Sequence, residues 1–426
     1  MTGPRFLGID VGTSGVRTCL IDASEREVGT ARTPLPEPLR NDGGVEQDPE
    51  LWWRALTETL DDLAGRCDLR AVAAIALDAT SATVLACDTA GMPLGPALMY
   101  NDGRAIAEAA RIAATAPAGS AARGPHSGLA KTLWLQARHP GARLLHQADW
   151  LAGHLTGRFD ISDENNTLKL GYDPVGRRWP DWIAGLIPPE RLPRVLPPGA
   201  PVAPLRPDLA RRWGMPRARV VAGTTDSTAA FLATGADRIG QAVTSLGSSL
   251  VLKVLAAHPV SAPEYGIYSH RLGDRWLVGG ASNSGGAVLR QFFATAELRA
   301  LEARLDPAHP TGLDYYPLPG IGERFPVCDA GLRPRMAPRP ADDARFLQGL
   351  LEGIAAIERQ GYRLLHELGA PYPVEVISVG GGAANAPWRR LRERLLEVPV
   401  TVAAHQDAAY GSARLALRGN PYDRLT

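Results

Sequence analysis

A chain of 426 residues is long enough for about two to three domains, and its 45% apolar content is ample for their cores. The net charge of +1 offers no bulk field toward nucleic acid or an anionic membrane surface, and no apolar run approaches a membrane span. The first apolar run meets Asp10 at once, unlike a secretory leader, so the expected compartment is cytoplasmic.

Lys131, Lys169 and Lys253 are the only lysines, and none follows a glycine, so a Walker-type phosphate lysine is absent. Cys19, Cys67, Cys87 and Cys328 lack C-x-x-C spacing, and the nine histidines show no H-x-x-x-H pair, which argues against disulfides and a transition-metal site.

In chain order, the β-rich run Phe6 to Ile9 enters the turn Asp10-Val11-Gly12-Thr13-Ser14-Gly15, and a second run, Val16 to Ile21, leaves it. Asp48 and Pro49 fit as N-cap and first residue of a helix whose apolar stripe is Leu51, Trp52, Ala55, Leu56, Thr59, Leu60 and Leu63. A strand over Ala71 to Leu77 ends in Asp78-Ala79-Thr80-Ser81, another covers Ala82 to Cys87, and Leu98 to Arg104 reads as a strand end before a helix. From Ile187 to Pro207 prolines are dense, which places a domain boundary near residue 210 and divides the chain into 1–210 and 211–426.

The second block repeats the opening pattern. A strand over Arg219 to Ala222 leads into Gly223-Thr224-Thr225-Asp226 and a helix through Leu232, and Ala242 to Leu246 enters the turn Gly247-Ser248-Ser249 before Leu250 to Val254. A helix is expected over Ala287 to Leu298. Farther on, Glu375 to Val379 reads as a strand, Gly380 to Asn385 as a glycine-rich turn, and Ala408 to Arg418 as the helix that closes the second domain. Alternating strands and helices indicate an α/β fold.

The twice-used turn carries chemistry. Glycine permits backbone angles that a Cβ forbids, so amide hydrogens can converge on an anion while Ser and Thr hydroxyls add donors. Asp10, abutting the first turn, supplies the charge that holds Mg²⁺ or its water.

Four segments in order, Phe6 to Arg17, Gly223 to Asp226, Ser245 to Ser249 and Gly380 to Asn385, resemble the FGGY carbohydrate kinases. The resemblance implies two duplicated ribonuclease-H-like domains of the actin/hexokinase superfold with an interdomain cleft, the first binding sugar and the second nucleotide. It also implies ATP and Mg²⁺ as cofactors, with a sugar and ATP/ADP as small-molecule partners, while the near-neutral charge leaves nucleic acid and membrane unexpected. The segment Leu77 to Leu85 is most similar to the D-ribulose kinase branch, which implies transfer of the ATP γ-phosphoryl to a terminal hydroxyl of D-ribulose. Xylulose, glycerol or another polyol is the alternative substrate, and a nucleotide switch that transfers nothing is the rival from another class. Two glycines of the family pattern are Ala79 and Ala82 here, so the turn is expected to differ in shape.

Asp226 matches the family's catalytic base, and a sugar hydroxyl needs such a carboxylate to take its proton. Capping the following helix is its other reading. Gly12 and Thr13, with Gly247 and Ser248, are expected at the phosphates, and Gly381, Gly382 and Asn385 at the adenosine, with Trp388 either against the base or in the core. Asp10, Ser14, Gly15, Arg17, Ser81 and Asp102, together with Asp226, are the candidate sugar contacts, though Arg17 also reads as a surface ion pair and Ser81 and Asp102 as turn stabilisers.

Overall fold

The computed structural model describes residues 3–419. Two compact units emerge, one holding residues 3–233 with 270–273 and 407–419, the other holding 234–269 and 274–406.

In the first unit the opening strand Arg5–Val11 pairs antiparallel with Gly15–Asp22, which pairs antiparallel with Glu27–Pro34. On its other side Arg5–Val11 runs parallel to Val72–Ala79, which runs parallel to Arg219–Val221. The second unit repeats this arrangement. Gln241–Leu246 pairs antiparallel with Leu250–Ala256, and that strand with Arg275–Ser282, while Glu375–Val379 and then Val400–Val402 follow in parallel on the other side. Numbered in chain order, the five strands just named read 3-2-1-4-5 across each sheet. The repeated turn signature is thus the hairpin tip of each central strand, and the parallel neighbour brings a second strand end beside it.

Cores form on one face of each central sheet, where alternate residues are apolar: Leu7, Ile9 and Val11 in the first unit, and Ala242 and Leu246 with the neighbouring Val376 in the second, are buried. The helix Pro49–Arg66 has the expected start, with Asp48 accepting the Glu50 amide hydrogen, and it buries Trp52, Leu56, Leu60 and Leu63. An additional sheet in this unit joins Leu39–Asn41, Gly44–Gln47, Ala97–Leu98, Val84–Cys87 and Arg143–His146.

Three expectations change. The first unit extends to Ala233, past residue 210, because Arg219–Val221 and Thr224–Thr225 pair with Val72–Ala79 and the helix Asp226–Ala233 follows them. Within the proline-dense stretch, Pro201–Pro204 lies antiparallel to Arg219–Val221 at the sheet edge, where missing amide hydrogens are tolerated. The helix Ala408–Arg418 closes the first unit and not the second. A Cβ at Gly8 would overlap the Ala409 carbonyl and one at Gly411 the Ala229 carbonyl, so these two glycines let the helix lie against the central strand and against Asp226–Ala233. Finally, the expected helix over 287–298 is two pieces, Gly286–Leu289 and Thr295–Glu302, and between them Phe292 and Phe293 turn toward Phe346. Phe346 belongs to the 25-residue helix Asp343–Glu367, which sequence reasoning passed over.

Candidate active site

At the centre of the first unit three carboxylates gather where the strands end. Asp10 and Asp78 are register partners on adjacent parallel strands, and Thr224 is the partner of Asp78 on the next. Asp226 follows two residues later at the start of its helix, where its Oδ1 accepts the Ser227 amide hydrogen at 2.6 Å. Asp10 is 4% exposed, and burial lifts its carboxyl to about 6 against the pull of Arg17, whose Nη1 donates to it at 3.0 Å; the charge on Asp226 pushes it further up. Asp78 is wholly buried. Burial first, then Asp10, drives its carboxyl well above the ordinary carboxylate range. Its Oδ2 accepts from Ser412 Oγ at 2.6 Å, a residue of the C-terminal helix, and its side chain shares a hydrogen bond with Asp10.

Beside this cluster the first turn is closed by the Gly12 amide donating to the Gly15 carbonyl at 3.1 Å, with Ser14 exposed at its tip. Gly15 is buried, and a Cβ there would stand 2.8 Å from the Thr33 carbonyl oxygen, so strand packing already demands a glycine. Arg17 pairs with Asp10 rather than with a surface acid, and its side chain keeps 42% exposure.

The Thr80-to-Thr83 turn follows Asp78. Ala82 sits in the left-handed region at φ 64°, so the conformation that glycine would favour is retained with alanine in place, and the expected change of turn shape does not occur there. Ala79 is an ordinary strand residue opposite Val11 and Thr225. Thr80 donates through both its amide and its hydroxyl to Gln147 Oε1, at 3.2 and 2.6 Å, while Ser81 Oγ is buried without a partner. Asp102 is fully buried, accepts the Val45 amide at 2.7 Å and holds Arg104 at 2.8 Å, contacts that tie its turn together. Lys131, pushed down to about 7 by burial, donates to the carbonyls of Met99 and Tyr100 at 2.9 and 3.2 Å and fixes the same strand end.

Sequence reasoning missed the polar wall at Asp163 to Asn166. Asp163 accepts the Asn165 and Asn166 amides and Asn166 Nδ2, and Asn165 Nδ2 donates to Thr224 Oγ1 at 2.9 Å. Burial, reinforced by Asp149, lifts the Asp163 carboxyl to about 7. The signal available was the run Ser162 to Thr167, six consecutive polar residues between Ile161 and Leu168.

In the second unit Ser245 and Val379 are register partners, so the Gly247-Ser248 and Gly380-to-Asn385 turns leave adjacent parallel strands on one side of the sheet. The Gly382 amide donates to the Leu246 carbonyl at 3.1 Å, Gly380 needs its φ of 86°, and Gly381 has open space where a Cβ would be. Asn385 caps the helix Ala386–Leu396, accepting the Trp388 amide at 2.8 Å. Trp388 is a core residue and presents no face to a base: it is 3% exposed, donates from Nε1 to the Leu351 carbonyl at 3.1 Å and packs under Gly382, leaving no room for a Cβ there. Beneath both turns Arg392 donates to Glu358 at 2.6 and 2.7 Å and to Ser378 Oγ at 2.6 Å, and Glu358 also accepts from Thr244.

Residues 5–233 match the N-terminal domain of the FGGY family of carbohydrate kinases and residues 242–419 its C-terminal domain. The chain belongs to the FGGY family of carbohydrate kinases. This FGGY kinase is 29% identical to the xylulose kinase of Escherichia coli, over 99% of the present chain and 91% of that protein. It is 29% identical to the xylulose kinase of Klebsiella pneumoniae over 96% and 89%. Among solved structures, a xyloylose kinase from Brucella ovis superposes with a TM-score of 0.88 at 27% identity, over 98% of this chain and 92% of that one. The fold also matches the glycerol kinase of Plasmodium falciparum with ADP, at a TM-score of 0.85 and 16% identity over 97% and 89%. The expected duplicated fold is therefore present, and the activity is that of an ATP-dependent carbohydrate kinase. Among the described residues no helix of the FGGY kinase is long and apolar enough to cross a membrane, and no group of three or more His, Cys, Asp and Glu stands ready to enclose a metal.

Proposed function

We propose that this FGGY kinase transfers the γ-phosphoryl of ATP to the terminal hydroxyl of a ketopentose, with the sugar on the first unit and the nucleotide on the second. The observation that carries the reading is the gathering of Asp10, Asp78 and Asp226 at one strand-end locus, with Asp226 the least buried of the three.

Asp226 is the base that takes the sugar's proton, a role worth about 10²–10⁴ in rate. Asp10 faces the metal. Magnesium requires only one or two carboxylates beside substrate phosphates and water, which suits a single carboxylate such as Asp10 at the strand end. When bound, the ion neutralises phosphate charge during transfer. Gly12, Thr13, Gly247 and Ser248 hold phosphates through backbone amides and hydroxyls. Gly381, Gly382 and Asn385 shape the adenosine turn, with Gly381 leaving open space for the ligand. Ser14, Arg17 and Ser81 contact the sugar, Ser81 through a hydroxyl that has no protein partner. Such a chain acts on a small sugar in the cytoplasm.

D-Ribulose is the first reading of the sugar, supported by the Leu77 to Leu85 segment and by the retained left-handed turn at Ala82. D-Xylulose is the second, supported by the names of the full-length relatives. A panel of D-ribulose, D-xylulose, pentitols and glycerol, followed by ADP release and by NMR location of the new phosphate, separates them. The expected result is the highest kcat/KM with D-ribulose and phosphate on C5; a higher value with D-xylulose selects the second reading, and a higher value with glycerol rejects both.

A further inference from the structure

We propose that Arg290 is a phosphate-binding residue for the nucleotide, the cation that stands in for the missing turn lysine. The inference rests on the reading that Gly247 and Ser248 receive ATP phosphates. Phosphates at neutral pH bring several negative charges to that turn, and phosphate sites of this kind ordinarily add a cation to their backbone amides. None of the three lysines can supply it from the turn itself: Lys131 is buried in the first unit, Lys169 lies in that unit too, and Lys253 is inside the strand Leu250–Ala256.

Arg290 is placed to do so. Its Nη2 donates to Ser248 Oγ at 2.8 Å, so the guanidinium already rests on the hydroxyl of the phosphate turn. The backbone behind it is fastened to the same turn: the Gly286 amide donates to the Gly247 carbonyl at 2.9 Å and the Ala287 amide to the Ser248 carbonyl at 3.1 Å. That approach requires glycine, since a Cβ at Gly286 would stand 2.9 Å from the Gly247 carbonyl oxygen. Both Arg290 and Ser248 are exposed, so an anion can reach the pair.

The charge of Arg290 is also uncommitted. Among the described residues at least seventeen arginines hold a carboxylate, from Arg17 on Asp10 to Arg418 on Glu25, whereas Arg290 has no carboxylate partner among them. A guanidinium resting on a neutral hydroxyl keeps its full positive charge for a ligand, and its planar fork matches two phosphate oxygens.

The test compares ADP with adenosine, which lacks the phosphates, by calorimetry on the full chain and its Arg290→Ala and Arg290→Lys variants. ADP affinity should fall about tenfold in Arg290→Ala and by a smaller factor in Arg290→Lys, with adenosine affinity, the KM of the sugar and the thermal midpoint unchanged. ADP affinity within twofold of the parent in Arg290→Ala overturns the proposal while leaving the nucleotide reading intact. Equal loss of ADP and adenosine also overturns it, because the effect then acts through the shape of the turn. A parent protein that binds neither ligand removes the nucleotide reading and the proposal together.

Discussion

Arg392→Met should destabilise the second unit far more than an ordinary surface arginine would. Arg392 and Glu358 are 1% and 0% exposed, and the guanidinium makes three of the polar contacts that hold the pair: two to Glu358 and one to Ser378 Oγ. Methionine fills much of the same volume but removes all three. It leaves a buried carboxylate whose remaining donor is the Thr244 hydroxyl at 2.6 Å. Breaking a buried pair by deleting one partner costs about 3–5 kcal/mol, whereas replacing both by apolar groups is close to neutral. The double variant Arg392→Met/Glu358→Leu should therefore recover most of the loss, apart from the Ser378 hydroxyl, which loses the Arg392 contact, while Thr244 keeps the Tyr362 hydroxyl at 2.8 Å. Urea unfolding followed by tryptophan fluorescence measures both, with the two units analysed as separate transitions. A single variant that loses less than about 1 kcal/mol, or a double variant no better than the single, would refute the reasoning. On the proposed function the pair matters because Thr244, Ser378 and Arg392 belong to the three elements that carry or follow the turns assigned to the nucleotide.

Trp388→Ala should lower the thermal midpoint, by a stability loss of about 3–5 kcal/mol for a buried tryptophan, and a variant that keeps its midpoint while KM for ATP rises would restore a stacking role. At Ala82, glycine should be tolerated within about 0.5 kcal/mol, since relief at φ 64° is offset by lost methyl burial and added chain entropy, whereas Ala82→Val should lose more than about 2 kcal/mol in denaturant titration. Burial raises Asp10 to about 6 and Asp163 to about 7, so the folded chain keeps protons that the unfolded chain has released; their contribution to stability falls as pH rises from about 4 to about 7. Thermal midpoints across that range should show a shallower decline in Asp163→Asn than in the parent, and parallel curves would count against the assignment.

The duplicated architecture was legible because each half places a glycine-hydroxyl turn between two β-rich runs, a local signal that survives without tertiary information. The placement of Asp10 and Asp226 at strand ends beside such turns was legible for the same reason. What escaped depends on distant pairing. The proline-dense stretch near residue 200 looked like a linker, yet the sheet that begins before it takes in Arg219–Val221 after it. The last helix looked like the end of the second block, yet Gly8 and Gly411 admit it to the first unit, where Ser412 meets Asp78 across 334 residues of chain. Trp388 next to a glycine turn suggested a ligand platform, and only its 3% exposure reveals a core residue. Asp102 likewise looked like a site residue at a strand end, and its bonds to Val45 and Arg104 show what that end needs to hold together.

The most direct test of the central claim is the turnover of Asp226→Asn with ATP and the preferred ketopentose, measured beside its ADP affinity. A base that accepts the sugar's proton predicts kcat lower by about 10²–10⁴, or roughly 3–5 kcal/mol of barrier, with ADP binding within twofold of the parent. Turnover within fivefold of the parent would contradict the assignment of Asp226 and, with it, the acidic cluster as the place where phosphoryl transfer occurs.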